Sequence, residues 1–502
     1  MNQGLSFVDW LVLGGYGALT LWLGWFYGRR QSSTNEYFVG GGKLHPIAVG
    51  VSLFATLIST VSYLSTPGET LGRGPVLLMQ LAALPLVYVV VGYGLLPVYM
   101  KHRVTSAYEL LEHRLGPEAR VLGASMFIVL RLAWMSLLVY AAAVAMTVMI
   151  GADASAVPLI VLITAIVAVV YTSLGGLRAV VVTDCIQSTL LFGAAVIVVG
   201  IVTLELGSFE WFPTTWRSNW DSQPLFSTSP ATRVTVLGTL LSTLVWYAAT
   251  AGGDQVSVQR FMATTDLGAA RRAFRTQLVA ITAVTLMLAL VGFALLGYFE
   301  AFPDRLGETL SLRDDADLVF PFFIAHRLPA GLAGLVVAAM FAAAMSSVDS
   351  GVNSISAVVL TDFVGRFAKR RRDDARQLVL ARWLAALTGV IIVGGASIIH
   401  LVPGNITEMT SKTSNLLTAP IFGLFLFALF IPGIRPVGVF VGTVAGILAA
   451  VLVAFSGPIF GAHAETGGDP VSFQWIAPVA LTVQVVVGYT ASRLVPGSTS
   501  SE

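Results

Sequence analysis

Residues 49–69 read VGVSLFATLISTVSYLSTPGE. The stretch is long and apolar enough to be a helix, yet serine and threonine recur through it and it ends in Pro67-Gly68. In lipid every backbone N–H and C=O needs a partner. Irregular helix is tolerated there only against protein or a water-filled cavity. The stretch therefore reads as an interrupted helix inside a bundle.

The rest of the chain supplies the membrane that this reading needs. Of 502 residues, 56% are hydrophobic and 11% charged, and the mean hydropathy is +0.82. A soluble chain is about 25% charged. The net charge of +2 makes no case for a nucleic-acid partner, and a single cysteine, Cys185, excludes a disulfide within the chain. The start, MNQGLSFVDW, has no basic segment and places Asp9 before its first apolar run, so the first span is expected to stay rather than be cleaved.

A spanning helix needs about 20 mostly apolar residues. Thirteen stretches qualify, near 8–27, 45–65, 75–99, 121–149, 156–174, 179–205, 232–252, 277–298, 329–360, 380–401, 408–431, 437–456 and 474–494. Polar residues interrupt the second, seventh, ninth and eleventh. With the N-terminus outside, 21 of the 29 lysines and arginines fall in cytoplasmic segments and 7 outside, with Arg131 left inside a span. That asymmetry predicts an outer N-terminus and an inner C-terminus. The run KRRR at 369–372 reads as an inner-face anchor. Trp211, Trp216 and Trp220, in the longest outer loop, read as an interfacial aromatic belt.

The seventh span, LVWYAATAGGDQVSVQR (244–260), is interrupted like the second: Gly252-Gly253 precede Asp254 and Gln255. Two broken spans five apart suggest two halves, spans two to six and seven to eleven, with solute and ions held at the breaks near the midplane. The ninth span contains MFAAAMSSVDSGVNS (340–354). Ser346, Asp349 and Ser350 share a helix face there, and hydroxyl and carboxylate oxygens suit a hard cation such as sodium. Small serines also let helices pack closely, but an acid such as Asp349 at membrane depth is costly and functional by default. Asp184, in VVTDCIQSTL, reads either as a second buried acid or as a cap on the cytoplasmic start of the sixth span. Arg131, in FIVLRLAWMSLLVY, either pairs with a buried acid or faces an anionic solute.

Taken in order, EYFVGGGKLHP (36–46), SLFATLIST (52–60), TSLGGLRAVVVTDCIQ (172–187), DQVSVQRFMA (254–263) and MSSVDSGVNSISAVVLTDF (345–363) resemble the sodium:solute symporter family, which holds sodium/glucose, sodium/proline and sodium/sialic acid cotransporters. The resemblance implies an all-α integral membrane protein with about 13 transmembrane helices and a leucine-transporter-like inverted repeat of five plus five core helices, two of them discontinuous. It implies one transmembrane domain over 1–502: a leading helix at 8–27, a first core repeat at 45–205, a second at 232–431 and two trailing helices at 437–494. It also implies a main sodium site made by the carbonyls of Ala55, Ile58 and Ala343 with the hydroxyls of Ser346 and Ser347. Asp184 and Ser350 match a second cation site of some members. Asp349 stands where a small polar residue is expected, and would either strengthen that site or carry a proton. DQVSVQR, with Asp254 and Gln255, resembles the sugar branch, but Leu57 and Ser62 replace the Asn and His that branch carries. Trp134, Trp246 and Tyr247 are candidate pocket walls or gates. Arg131 resembles the arginine that sialic acid members use for a carboxylate.

The expected function is sodium-coupled symport of a small polar organic solute, sugar-like or an organic anion, by alternating access. Sodium is the coupling ion, and no cofactor, nucleic acid or obligate protein partner is expected. The setting is the plasma (inner) membrane. A proton-coupled carrier on the same fold is the alternative. A transporter-like sensor would be expected to append a signalling domain, and only a short tail follows the last span. Six scattered histidines and the absence of a Cys/His cluster argue against an enzyme.

Overall fold

The computed structural model describes residues 4–29, 37, 38, 42, 44–102, 104, 106–222, 224–306, 310–365, 374–402, 405–461 and 469–494, with backbone alone at 28, 154, 171–175, 374 and 375. The basic run at 369–372 and the tail from 495 lie outside the described residues. Among the described residues all regular structure is helical.

In chain order the helices are α1 (Phe7–Gly28), α2 (Pro46–Leu57), α3 (Thr60–Gly72), α4 (Pro75–His102), α5 (Glu109–Leu115) and α6 (Pro117–Ile150). Then come α7 (Val157–Leu206), α8 (Val236–Gly253), α9 (Gln255–Met262), α10 (Leu267–Ala301), α11 (Ala316–Arg327) and α12 (Leu332–Val358). The last are α13 (Asp374–Ala396), α14 (Ile406–Phe430), α15 (Pro436–Ala454), α16 (Ser456–Phe460) and α17 (Ile476–Leu494).

Among the described residues eleven helices are long and apolar enough to cross a bilayer, and the bent pair α2–α3 makes a twelfth. The thirteen expected are not all found by length and composition among the described residues. The stretch expected at 156–174 is the part of α7 that precedes Gly176. It runs into the next span through Gly176, whose φ of 59° only glycine adopts freely.

Both interruptions in the sequence are breaks in the structure. α2 and α3 meet at 66°, across Ile58 and Ser59, which are both extended. α8 and α9 part at Asp254, also extended, whose Oδ1 accepts the N–H of Val256 at 2.9 Å and so caps α9. α12 runs between them and is buried along nearly its whole length. Its small residues permit this: a Cβ on Gly351 would stand 2.3 Å from Met135 Sδ of α6.

The two faces of the bundle are clasped by charge. On the N-terminal face, Asp9 Oδ1 accepts the N–H groups of Gly331 and Gly334 at 2.7 Å each, tying α1 to the start of α12. On the same face, Arg233 reaches Glu69 at 2.6 and 2.9 Å and Glu408 at 3.0 Å, joining the end of α3 to the starts of α8 and α14. Trp211 and Trp220 are buried there rather than set in an interfacial belt. Trp220 Nε1 donates to the Leu71 carbonyl at 3.1 Å, and only Trp216 is exposed. On the opposite face, Asp362 accepts from Ser106 Oγ at 2.6 Å and Arg120 Nε at 2.5 Å, which holds the loop before α5 against the end of α12.

Candidate functional site

The hydrogen-bond ladder of α2 ends where Ile58 N–H reaches the Phe54 carbonyl at 2.9 Å, and it resumes where Tyr63 N–H reaches the Ser59 carbonyl at 3.0 Å. The carbonyls of residues 55–58 therefore fall outside any ladder, as they do at every helix C-terminus. α12 packs against this break. Ser347 Oγ donates to the Thr56 carbonyl at 3.2 Å, and Thr60 Oγ1 donates to the Met340 carbonyl at 2.8 Å. Ser346 Oγ donates to Asp184 Oδ1 at 2.5 Å. Both serine protons are thus engaged by acceptors, and the lone pairs are what the hydroxyls have left to offer. Ser59 is fully buried at the same point, and its hydroxyl has no hydrogen-bond partner among the described residues. Ala55, Ile58, Ala343, Ser346 and Ser347 are brought together on the two elements that meet here.

Asp184 caps nothing. It lies two turns inside the helix that follows Gly176, fully buried. Its Oδ2 accepts from Ser52 Oγ and from Arg260 Nη2, the latter at 3.3 Å. Arg260 also donates from Nε to Ser52 Oγ at 2.8 Å and from Nη2 to Ser350 Oγ at 2.5 Å. Ser350 in turn lies 3.1 Å from Thr56 Oγ1. The group expected as a second cation site is therefore built around a resident guanidinium. The charge count places Arg260 in a cytoplasmic segment, whereas the structure buries it completely at the end of α9. Its sequence signal was its position one helical turn after Val256 in a segment that also carries Gln255 and Gln259. Asp349 is fully buried on α12, with Tyr16 of α1 in electrostatic reach of both Asp349 and Asp184.

Arg131 and Asp254 form a buried ion pair. The carbonyls released at the end of α8 are taken by tyrosines: Tyr99 donates to Gly252, and Tyr108 to Gly253 at 3.1 Å. Gln255 is turned away from the break. It is fully buried, and its Oε1 accepts the N–H of Ala107 at 2.7 Å, tying it to the loop before α5.

Above the breaks lies a cavity of about 190 Å³. Leu57, Ser62, Trp134, Trp246 and Tyr247 line it. Arg131 and Asp254 line a separate recess of about 20 Å³ under Trp134 and Trp246. The largest polar contribution comes from α14, through Thr407, Thr410, Ser411, Ser414 and Asn415. These residues recur at helical spacing on one face. The signal was present in the sequence as the polar interruption of the eleventh span.

A family model described as the sodium:solute symporter family matches residues 37–446. The sodium/sialic acid symporter SiaT of Proteus mirabilis is 29% identical over 470 residues, 90% of each chain. The sodium-coupled monocarboxylate transporter 1 of Homo sapiens is 25% identical over 90% of this chain and 74% of its own. Among solved structures, a substrate-bound outward-open Na+-coupled sialic acid symporter superposes with a TM-score of 0.81 at 25% identity, covering 98% of both chains. The nucleobase-cation-symport-1 transporter MHP1, in a closed conformation, superposes with a TM-score of 0.56 at 11% identity over 92% of this chain and 95% of its own.

Proposed function

This chain belongs to the sodium:solute symporter family, and on that premise we propose that it uses sodium to import a small polar organic solute by alternating access. The observation that carries the proposal is the α2–α3 break facing Ser346 and Ser347, with both serine protons already engaged. Sodium binds to the carbonyls of Ala55, Ile58 and Ala343 and to the two hydroxyl oxygens, an all-oxygen set suited to a hard cation. The negative end of the α2 dipole adds to it. The solute binds in the cavity on the other side of the same break. The N-terminal face is extracellular and the face carrying Asp362 cytoplasmic, in an inner-type plasma membrane. The two core repeats run over 45–205 and 232–431.

Ion and solute together draw the N-terminal face closed. The contacts of Asp362, Tyr108 and Gln255 on the opposite face then release, and both ligands leave inward. The reading predicts that sodium, titrated against potassium at constant ionic strength, changes the tryptophan fluorescence of the purified chain saturably. Ser347→Ala should raise the half-saturating sodium at least tenfold. Unchanged sodium dependence in that variant sinks the site assignment.

The complete burial of Asp349 on the same helix face favours a second reading, in which a proton replaces sodium as the coupling ion. A fluorescence response to pH and none to sodium would select it.

A further inference from the structure

We infer that the solute is a neutral polyhydroxylated molecule of monosaccharide or polyol size, and not an organic anion. This rests on the symport reading and concerns the solute half of the same site.

Three observations carry it. First, the described residues lining the 190 Å³ cavity include no charged side chain. Its polar wall is hydroxyl and amide throughout: Ser62, Ser65 and Thr66 from α3, Thr239, Ser242 and Thr243 from α8, and the face of α14 opposite. A carboxylate taken out of water into such a site would have no counter-charge, which is far more costly than burying a hydroxyl that finds a partner.

Second, the guanidinium that lines the adjoining recess is already committed. Arg131 is paired with Asp254, so the pair carries no net charge. The recess that holds it, about 20 Å³, has room for a group of water size. A carboxylate would have to displace Asp254 to use it.

Third, residues of the cavity wall carry buried polar atoms that lack partners. Asn415 is 4% exposed, and its Oδ1 has no hydrogen-bond partner among the described residues, nor do the hydroxyls of Thr407 and Thr410. A buried amide oxygen left unpaired is costly, and a ligand O–H repays it. Trp134 and Trp246 add flat apolar faces that suit the C–H face of a sugar ring. The cavity is also smaller than the roughly 300 Å³ at which sites for drug-sized ligands begin. The monocarboxylate transporter that this chain resembles is named for a carboxylate substrate; this cavity offers one no cation.

The test uses the full chain in detergent with saturating sodium, and reads the fluorescence of the cavity tryptophans. The probes are D-glucose, D-galactose and myo-inositol, set against D-glucuronate, D-galacturonate and N-acetylneuraminate. The expected result is a saturable, sodium-dependent response to at least one neutral probe, with every anion at least 100-fold weaker. Asn415→Ala should weaken the neutral probe at least tenfold while the response to sodium alone stays as in the parent. A stronger response to any anion overturns the inference. So does silence toward all three neutral probes in a chain that still responds to sodium. A chain that ignores sodium as well overturns the symport reading with it.

Discussion

Arg260 of α9 and Asp184 of α7 meet at 3.3 Å, Nη2 to Oδ2, and neither side chain reaches solvent. Removing one partner of such a pair leaves the other charged and buried, at a cost of about 3–5 kcal/mol. Asp184→Asn is expected to destabilise the chain by that order, measured by unfolding in detergent. The double variant Asp184→Asn with Arg260→Met should recover a large part of it. A single variant as stable as the parent would show that the two groups do not compensate each other.

Arg131 and Asp254 offer a different experiment, because Asp254 has two tasks: it neutralises the guanidinium and caps α9 through Val256 N–H. Asp254→Asn keeps an oxygen for the cap and removes the counter-charge. The freed Arg131 is expected to let the chain bind D-glucuronate at least tenfold more tightly than the parent, by tryptophan fluorescence in sodium. No gain would mean that the charge does not act on the cavity.

Asp317, on the short helix α11 outside the spans, holds the start of α14 by accepting the N–H of Ile406 at 3.0 Å. Burial pushes its carboxyl up to about 7, with Glu69 nearby acting in the same direction. A carboxyl raised in the folded state binds more protons there than when unfolded. Stability from this group is therefore full below the unfolded value and declines as pH rises from about 4 to about 7. Asp317→Asn keeps the acceptor for Ile406 and should raise the thermal midpoint at pH 8 by about 2 °C, with no gain at pH 4. An equal gain at both pH values would show that ionisation of Asp317 is not the cause.

Tyr108 ties the loop before α5 to the end of α8 by donating to the Gly253 carbonyl at 3.1 Å. Tyr108→Phe leaves a buried carbonyl short of a partner, at about 1–3 kcal/mol. The expected effect falls on closure: sodium leak into proteoliposomes without solute should rise several-fold. A leak equal to that of the parent would show that this contact does not hold the bundle shut.

Much of this was legible from pattern alone. The breaks at Ile58–Ser59 and at Asp254 announced themselves as serine, threonine and glycine in spans that should have been apolar. The hydroxyls of Ser346 and Ser347 stood out for the same reason. Arg260 did not, because a charge near a span end reads as a loop charge. Only the packing of α9 under α2 and α7 shows it to be internal. Gln255 was singled out by the motif it sits in, and in the structure its Oε1 accepts the N–H of Ala107. The α14 wall was visible as polarity, but which way the stripe faced depended on neighbours far away in sequence. The indoles of Trp211 and Trp220 were read as lipid-facing because most membrane tryptophans are; here the loop folds back over Leu71 and Phe293.

The break between α2 and α3 has one further consequence. A helix cut in its middle exposes two ends of opposite polarity: the C-terminus of α2 presents carbonyls, and the N-terminus of α3 presents amide protons. The first suits the ion and the second suits solute oxygens, and only Ile58 and Ser59 separate them. Each ligand that orders this two-residue joint lowers the entropy the other must surrender, and the saving is equal in both directions. Cooperativity between ion and solute would then need no long-range relay: it would reside in a single hinge that two chemically unlike guests share.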